Sequence, residues 1–226
     1  MKIFIDSAST VEIKKWLSMG IADGVTTNPS ILLKGGLYDI ERGIKEISTL
    51  VNPRPVSVEV TTNDLQEMVS QGREFAAWAS NIVIKVPQET EDGVPCYEVM
   101  HQLENEGIKV NATVALSLGQ IILSAKAGAT YISIFAGRVG DEGGNPSEMI
   151  RNSVEWLERW KLNSKIIVGS IRSVADVIQA ALAGAHIITI PPELLAKMAD
   201  HKYTRETVRQ FVSDATKAIE MMKGTH

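Results

Sequence analysis

Short runs of branched apolar residues alternate with segments of helical period along this entire chain. The runs are Ile3 to Asp6, Gly24 to Thr27, Val56 to Val60, Ile82 to Val86, Lys109 to Thr113, Tyr131 to Phe135, Lys165 to Ser170 and His186 to Ile190. Strands that alternate with helices in this way form a parallel sheet covered by helices. Eight such units predict closure into a (β/α)8 barrel, the TIM-barrel class. The architectural rival is an open doubly wound sheet, which usually carries a glycine-rich phosphate loop after its first strand. Here Ile3 to Asp6 leads instead into Ser7-Ala8-Ser9. At 226 residues the chain lies near the low end for an eight-unit barrel, so residues 1–226 read as one domain with short connections.

Helices are predicted at Val11 to Met19, Asp39 to Val51, Asp64 to Ala79, Tyr97 to Glu106, Ser117 to Ala127, Pro146 to Lys161 and Val174 to Ala183. Ser9-Thr10, Asn63 and Asn145-Pro146 supply start signals. Gly107, Gly128 and Gly184 each fall between a helix and the next strand, where a left-handed residue ends a helix. Residues 204–223 form an additional C-terminal helix, apolar along Val208, Phe211, Val212, Ala215 and Ile219. That stripe calls for a partner, either the barrel itself or a neighbouring subunit. Leu32 to Tyr38, around Lys34-Gly35-Gly36, reads as a flexible mouth loop.

Side chains alternate between the two faces of a strand. In Val56-Ser57-Val58-Glu59-Val60 the polar pair shares one face and the valines the other; Asn111 and Thr113 oppose Val110, Ala112 and Val114. Tyr131, Ser133 and Phe135 oppose Ile132 and Ile134, and Lys85 interrupts the apolar run from Ile82 to Val86. The helix-facing side of a barrel strand must be apolar, so the polar side chains converge inside, toward the carboxyl-terminal mouth that barrel enzymes use. Asp6, Asn28, Glu59, Lys85, Asn111, Thr113, Ser133, Ser170 and Arg172 are thereby expected around one cavity. Burial disfavours an ammonium ion, and a neutral lysine amine is the nucleophile that forms a Schiff base with a carbonyl. Taken singly, these residues have plainer explanations. Asp6 fits a helix cap, Glu59 an arginine partner, and Ser170 and Arg172 a cap and a surface charge.

Several function classes lose support from composition. One cysteine and four scattered histidines give no metal-ligand spacing, so no metal and no cofactor are expected. The net charge of -4 comes from mixed signs without a basic run, which leaves nucleic-acid binding unsupported. No apolar stretch approaches the roughly 20 residues that span a bilayer, and the first residues lack a secretory signal. The expected location is cytoplasmic, away from membranes.

Seven segments in order resemble one known family, the small transaldolases and their close relatives the fructose 6-phosphate aldolases. They are Ile3-Phe4-Ile5-Asp6-Ser7-Ala8, Gly24-Val25-Thr26-Thr27-Asn28-Pro29-Ser30, Val58-Glu59-Val60 and Val83-Ile84-Lys85-Val86-Pro87, followed by Gly107 to Thr113, Ser133-Ile134-Phe135-Ala136-Gly137-Arg138 and Gly169-Ser170-Ile171-Arg172. The resemblance implies a (β/α)8 barrel and metal-free class I aldol chemistry. By the same resemblance Lys85 forms the imine, Asp6 handles the C4 hydroxyl proton, and Glu59 and Thr113 hold a catalytic water. Asn28 and Ser133 resemble the groups that bind the dihydroxyacetone portion, in the polar ring that includes Asn111. Arg138, Ser170 and Arg172 resemble a cradle for the terminal phosphate. Family members are homo-oligomers, typically pentamers or decamers.

Glu59 and Phe135 stand where the aldolase branch typically has glutamine and tyrosine, which favours transfer of dihydroxyacetone from a ketose phosphate such as fructose 6-phosphate or sedoheptulose 7-phosphate to an aldose phosphate. Two alternatives stay open: aldol cleavage releasing free dihydroxyacetone, and transfer from a sulfonated ketose, 6-deoxy-6-sulfofructose. The second follows from family departures near the mouth, among them Ile134, Val114-Ala115-Leu116 and Gly140 to Gly144.

Overall fold

In a computed structural model that describes residues 1–223, the eight runs form the strands β1 (Lys2–Asp6), β2 (Gly24–Thr26), β3 (Val56–Glu59), β4 (Ile82–Pro87), β5 (Val110–Ala115), β6 (Tyr131–Phe135), β7 (Lys165–Gly169) and β8 (Ile187–Ile190). All neighbours are parallel, and β8 returns to pair with β1, closing a barrel in sequence order. The chain is therefore a (β/α)8 TIM barrel with an additional C-terminal helix.

Parity sorts the strands into two populations. Ile5, Val25, Val58, Ile84, Ala112, Ile134, Val168 and Ile188 point outward and belong to the main core between strands and helices. Phe4, Ile167 and Ile187 form a separate buried cluster with Tyr131 packed against it. This cluster lies at strand positions facing the barrel axis, below the polar residues. Phe4 and Tyr131 meet edge to face at 6.3 Å between ring centroids, an arrangement favoured by the ring quadrupoles. Gly24 makes room for it: a Cβ there would lie 2.6 Å from the Phe4 ring. The lower barrel is thus plugged, and only the upper half has space for polar groups.

The helices between strands are α1 (Thr10–Ser18), α2 (Pro29–Lys34), α3 (Ile40–Val51), α4 (Leu65–Ala77), α5 (Tyr97–Asn105), α6 (Leu118–Lys126), α7 (Ala136–Asp141), α8 (Pro146–Arg159) and α9 (Val174–Leu182). Ser9, Asp39, Ser117, Asn145 and Ser173 cap their helices by accepting a backbone N–H two or three residues into the first turn. Gly107, Gly128 and Gly184 adopt positive φ after α5, α6 and α9, as expected of helix stops. One cap differs from expectation: Asp64 caps α4, while the side chain of Asn63 accepts from the amide of Glu91.

Three short helices escape periodicity because each is about two turns or less: α2, α7 and α10 (Pro192–Ala199). The first corrects the expected mouth loop, since Leu32 to Lys34 continue a helix capped by Asn28, with Leu32 buried against the core. The last helix, α11 (Lys202–Lys223), buries none of its residues, so packing of its apolar stripe on its own barrel is not observed. Among the described residues no helix is long and apolar enough to cross a membrane.

Candidate active site

The strand register brings the polar side chains into level pairs. Glu59 aligns with Lys85 and Lys85 with Asn111, while Asp6 aligns with Thr26 across the β1–β2 pair. A cavity of about 400 Å3 opens at the carboxyl ends of the strands. Of the expected residues, Asp6, Asn28, Lys85, Thr113, Ser133, Phe135, Arg138 and Ser170 line it. Glu59 and Asn111 stand immediately behind, bonded to residues that do.

Lys85 is almost fully buried, and its ammonium donates to Glu59 Oε2 at 2.7 Å and to the Thr27 carbonyl at 3.1 Å. These two acceptors account for the burial of a charged group that an apolar strand would otherwise exclude. Thr27 contributes through its backbone alone, because its hydroxyl donates to the Ser57 carbonyl. Glu59 is also the nearest base through which the amine can lose its proton.

Asp6 is held by Thr26, whose hydroxyl donates to Oδ1 at 2.7 Å. Burial pushes the Asp6 carboxyl above the usual carboxylate range; Glu193 and Glu59 push the same way, against the Thr26 hydrogen bond and the charge of Lys85. A carboxylate raised toward neutrality is suited to taking up and returning a proton. Asp6 does not cap α1, the role that Ser9 fills.

Bond counting fixes what several groups can still offer. Ser133 donates its one proton to Asn111 Oδ1 at 2.7 Å, so its oxygen is left to accept. Asn111 in turn donates to Ser57 at 3.3 Å. The Asn28 oxygen accepts from the Ile31 amide, which leaves its NH2 group as donor toward the cavity. Thr113 Oγ1 is buried without a hydrogen-bonding partner among the described residues. It lies just before Val114, which has φ 59, and the β5–β6 register shifts between Ala112 and Ala115. A β-branched residue in that region is strained, as is common where a functional group is aimed.

At the rim the expected arginine pair separates. Arg138 and Ser170 line the cavity, whereas Arg172 faces a second hollow between α7, α8 and α9. Its Nη1 and Nη2 donate to the two oxygens of Asp141 at 2.5 Å. Gly137 lets it lie there, because a Cβ at that position would come within 2.8 Å of Arg172 Nε and Ser170 Oγ. Six cavity residues were not among the expected ones: Thr26, Ser30, Ile31, Lys34, Gly169 and Thr189. Parity on β8 turns Thr189 inward, two residues beyond Ile187, although nothing in that apolar run marks it as functional.

The family model described as transaldolase/fructose-6-phosphate aldolase matches residues 3–225. This chain belongs to that family. It is 44% identical over 214 residues to a probable transaldolase of Lactiplantibacillus plantarum, covering 95% of this chain and 96% of the relative. A probable transaldolase 2 of Listeria monocytogenes is 43% identical over 95% of both chains. A probable transaldolase of Clostridium botulinum is 39% identical over 97% of this chain and 98% of the relative. The transaldolase-family barrel is therefore an enzyme scaffold whose mouth holds the buried lysine, the raised carboxyl and the rim arginine described above.

Proposed function

We propose that this enzyme transfers a dihydroxyacetone unit from a ketose to an aldose through a Schiff base on Lys85. The observation that carries the reading is Lys85 itself, buried inside the barrel, held by Glu59 at 2.7 Å and open to the same cavity as Asp6. Glu59 takes the proton from the ammonium, and the free amine attacks the ketose C2 carbonyl. Loss of water from the carbinolamine gives the iminium, with Glu59 and Thr113 holding the water that carries the protons. Asp6 accepts the proton of the C4 hydroxyl as the C3–C4 bond breaks, the electron pair moving into the iminium to form an enamine. The enamine then attacks the aldehyde carbon of the acceptor, Asp6 returns the proton, and hydrolysis frees Lys85.

The polar groups on either side suit the three retained carbons. Asn28 offers a donor and Ser133 an acceptor, complementary to the hydroxyls of dihydroxyacetone. Phe135 favours transfer over cleavage because it lines the cavity without a proton to give the enamine, so the nucleophile persists until an aldehyde arrives. The exposed stripe of Val208, Phe211, Val212 and Ile219 on α11 supports a homo-oligomer, a pentamer or decamer, in which a neighbour covers it.

One observation favours a second reading of the substrate. With Arg172 paired to Asp141, the cavity presents Arg138 and Lys34 as its cations besides Lys85. Two cations suit a singly charged sulfonate as well as a phosphate, which carries close to two charges near neutral pH.

Borohydride reduction in the presence of fructose 6-phosphate should add a three-carbon mass at Lys85. Absence of the adduct with both phosphorylated and sulfonated ketoses would refute the imine. Free dihydroxyacetone formed at full rate without an aldose would make the enzyme a lyase.

A further inference from the structure

Thr26 carries one hydroxyl and hence one proton, but its Oγ1 makes two close contacts, at 2.7 Å with Asp6 Oδ1 and at 2.5 Å with Thr189 Oγ1. An ionised carboxylate only accepts. Thr26 therefore donates to Asp6, and Thr189 is left as the donor to Thr26. We propose that Thr189 is a positioning residue which, through Thr26, holds Oδ1 of Asp6 as a standing acceptor and reserves Oδ2 for the proton exchanged with substrate.

Proton counting sets this direction, and the surroundings of Thr189 agree with it. Thr189 is buried on β8, and its methyl Cγ2 would lie 3.3 Å from a Cβ on Gly169, so the β7 backbone packs against the methyl side while the hydroxyl meets Thr26. A proton placed on Oδ1 would have to reverse both contacts, turning Thr26 into a donor to Thr189. Thr189 would then need a new acceptor, and among the described residues its hydroxyl bonds to Thr26 alone. A proton on Oδ2 leaves both contacts as they are. The two oxygens of one carboxyl are thereby made unequal by a hydroxyl two residues removed from it.

Consecutive hydrogen bonds also strengthen one another. Thr189 makes Thr26 a better donor and so favours the ionised form of Asp6. Around the carboxyl, Lys85 of β4 acts in the same sense, while Glu59 of β3, Glu193 of α10 and burial oppose it. Losing the Thr189 proton removes one of the few influences that keep Asp6 able to act as a base.

The inference rests on Asp6 as the proton carrier of the proposed reaction, and its test separates the two. In Thr189→Val, kcat should fall by up to about 10-fold, the upper end of the effect of one hydrogen bond between neutral groups. The acid limb of the kcat profile should move to higher pH. KM and the yield of borohydride adduct at Lys85 should stay near those of the unmodified enzyme, and Thr189→Ser should restore both rate and profile. Thr189→Ala serves the same purpose if the valine variant does not fold. An unchanged pH profile, or a serine variant as impaired as valine, would reduce Thr189 to a packing residue and overturn the inference with the imine intact. No adduct in the unmodified enzyme would overturn the underlying reaction instead.

Discussion

Two ion pairs flank the mouth of this barrel and differ in nearly everything except length. Lys85 and Glu59 approach to 2.7 Å with side chains 5% and 19% exposed, on adjacent strands in register. Arg172 and Asp141 approach to 2.5 Å with side chains 54% and 42% exposed, one on the loop after β7 and the other at the end of a six-residue helix. Removing one partner of a buried pair leaves an uncompensated charge and typically costs about 3–5 kcal/mol. An exposed pair contributes little to stability and is screened by salt. The inner pair is fixed by the fold, whereas the outer pair can be exchanged for another anion at little cost. In the proposed reaction the chemistry thus rests on strands, while the contact at the rim is a replaceable one.

The largest effect is expected at the inner pair. Lys85→Met should lower turnover by at least about 10^4-fold, as expected for loss of a covalent nucleophile, and abolish the borohydride adduct. It should also leave Glu59 without its cation, so the folding midpoint should drop. A Lys85→Met variant that retained substantial activity would move the imine elsewhere.

Asp6→Asn comes next, with opposite signs for rate and stability. Turnover should fall by about 10^2- to 10^4-fold, the usual contribution of a general acid–base group. Because the folded-state pKa of Asp6 is raised, the native chain binds more protons than the unfolded chain between the ordinary carboxylate value of 3.8 and the raised one. Stability on this account falls as pH rises through that window and stays lower above it. Asparagine removes the penalty, so the variant should gain thermal stability at neutral pH and lose the gain in acid. Equal midpoints for the two proteins across pH would show that burial of Asp6 is not costly.

How much of this was written plainly in the sequence follows the same inner and outer division. The barrel and the inward face of β3 to β6 were legible because period-two alternation needs only neighbouring residues: Glu59, Lys85, Asn111, Thr113 and Ser133 follow from parity. Thr189 obeys the same rule but sits in an apolar run, and a lone threonine there carries no mark until Thr26 is found beside it. The Thr27 carbonyl has no sequence signature at all, since every residue has one. At the rim, α7 is too short to reveal a period, and nothing in Gly140-Asp141-Glu142 announces that Asp141 turns back to meet Arg172 thirty-one positions later. Contacts set by strand register could be read in advance, and contacts set by loop closure could not.

The smallest expected effects belong to the outer pair, and they decide whether it is a latch. If an arriving terminal anion displaces Asp141, Arg172→Ala should raise KM for a phosphorylated ketose about 10-fold, the scale of one hydrogen bond to a charged group, with kcat nearly unchanged. Asp141→Asn should do the reverse, since a guanidinium freed of its carboxylate is available to the substrate, and the gain should be larger for a phosphate than for a singly charged sulfonate. Both effects should shrink as salt is added, because the pair is exposed. If instead Asp141 orients Arg172 for binding, Asp141→Asn and Arg172→Ala should both raise KM. The sign of the KM change in Asp141→Asn therefore separates competition from support, and both variants should unfold near the temperature of the unmodified protein. A large loss of stability in either would place the outer pair in the same class as the inner one and remove the distinction between them.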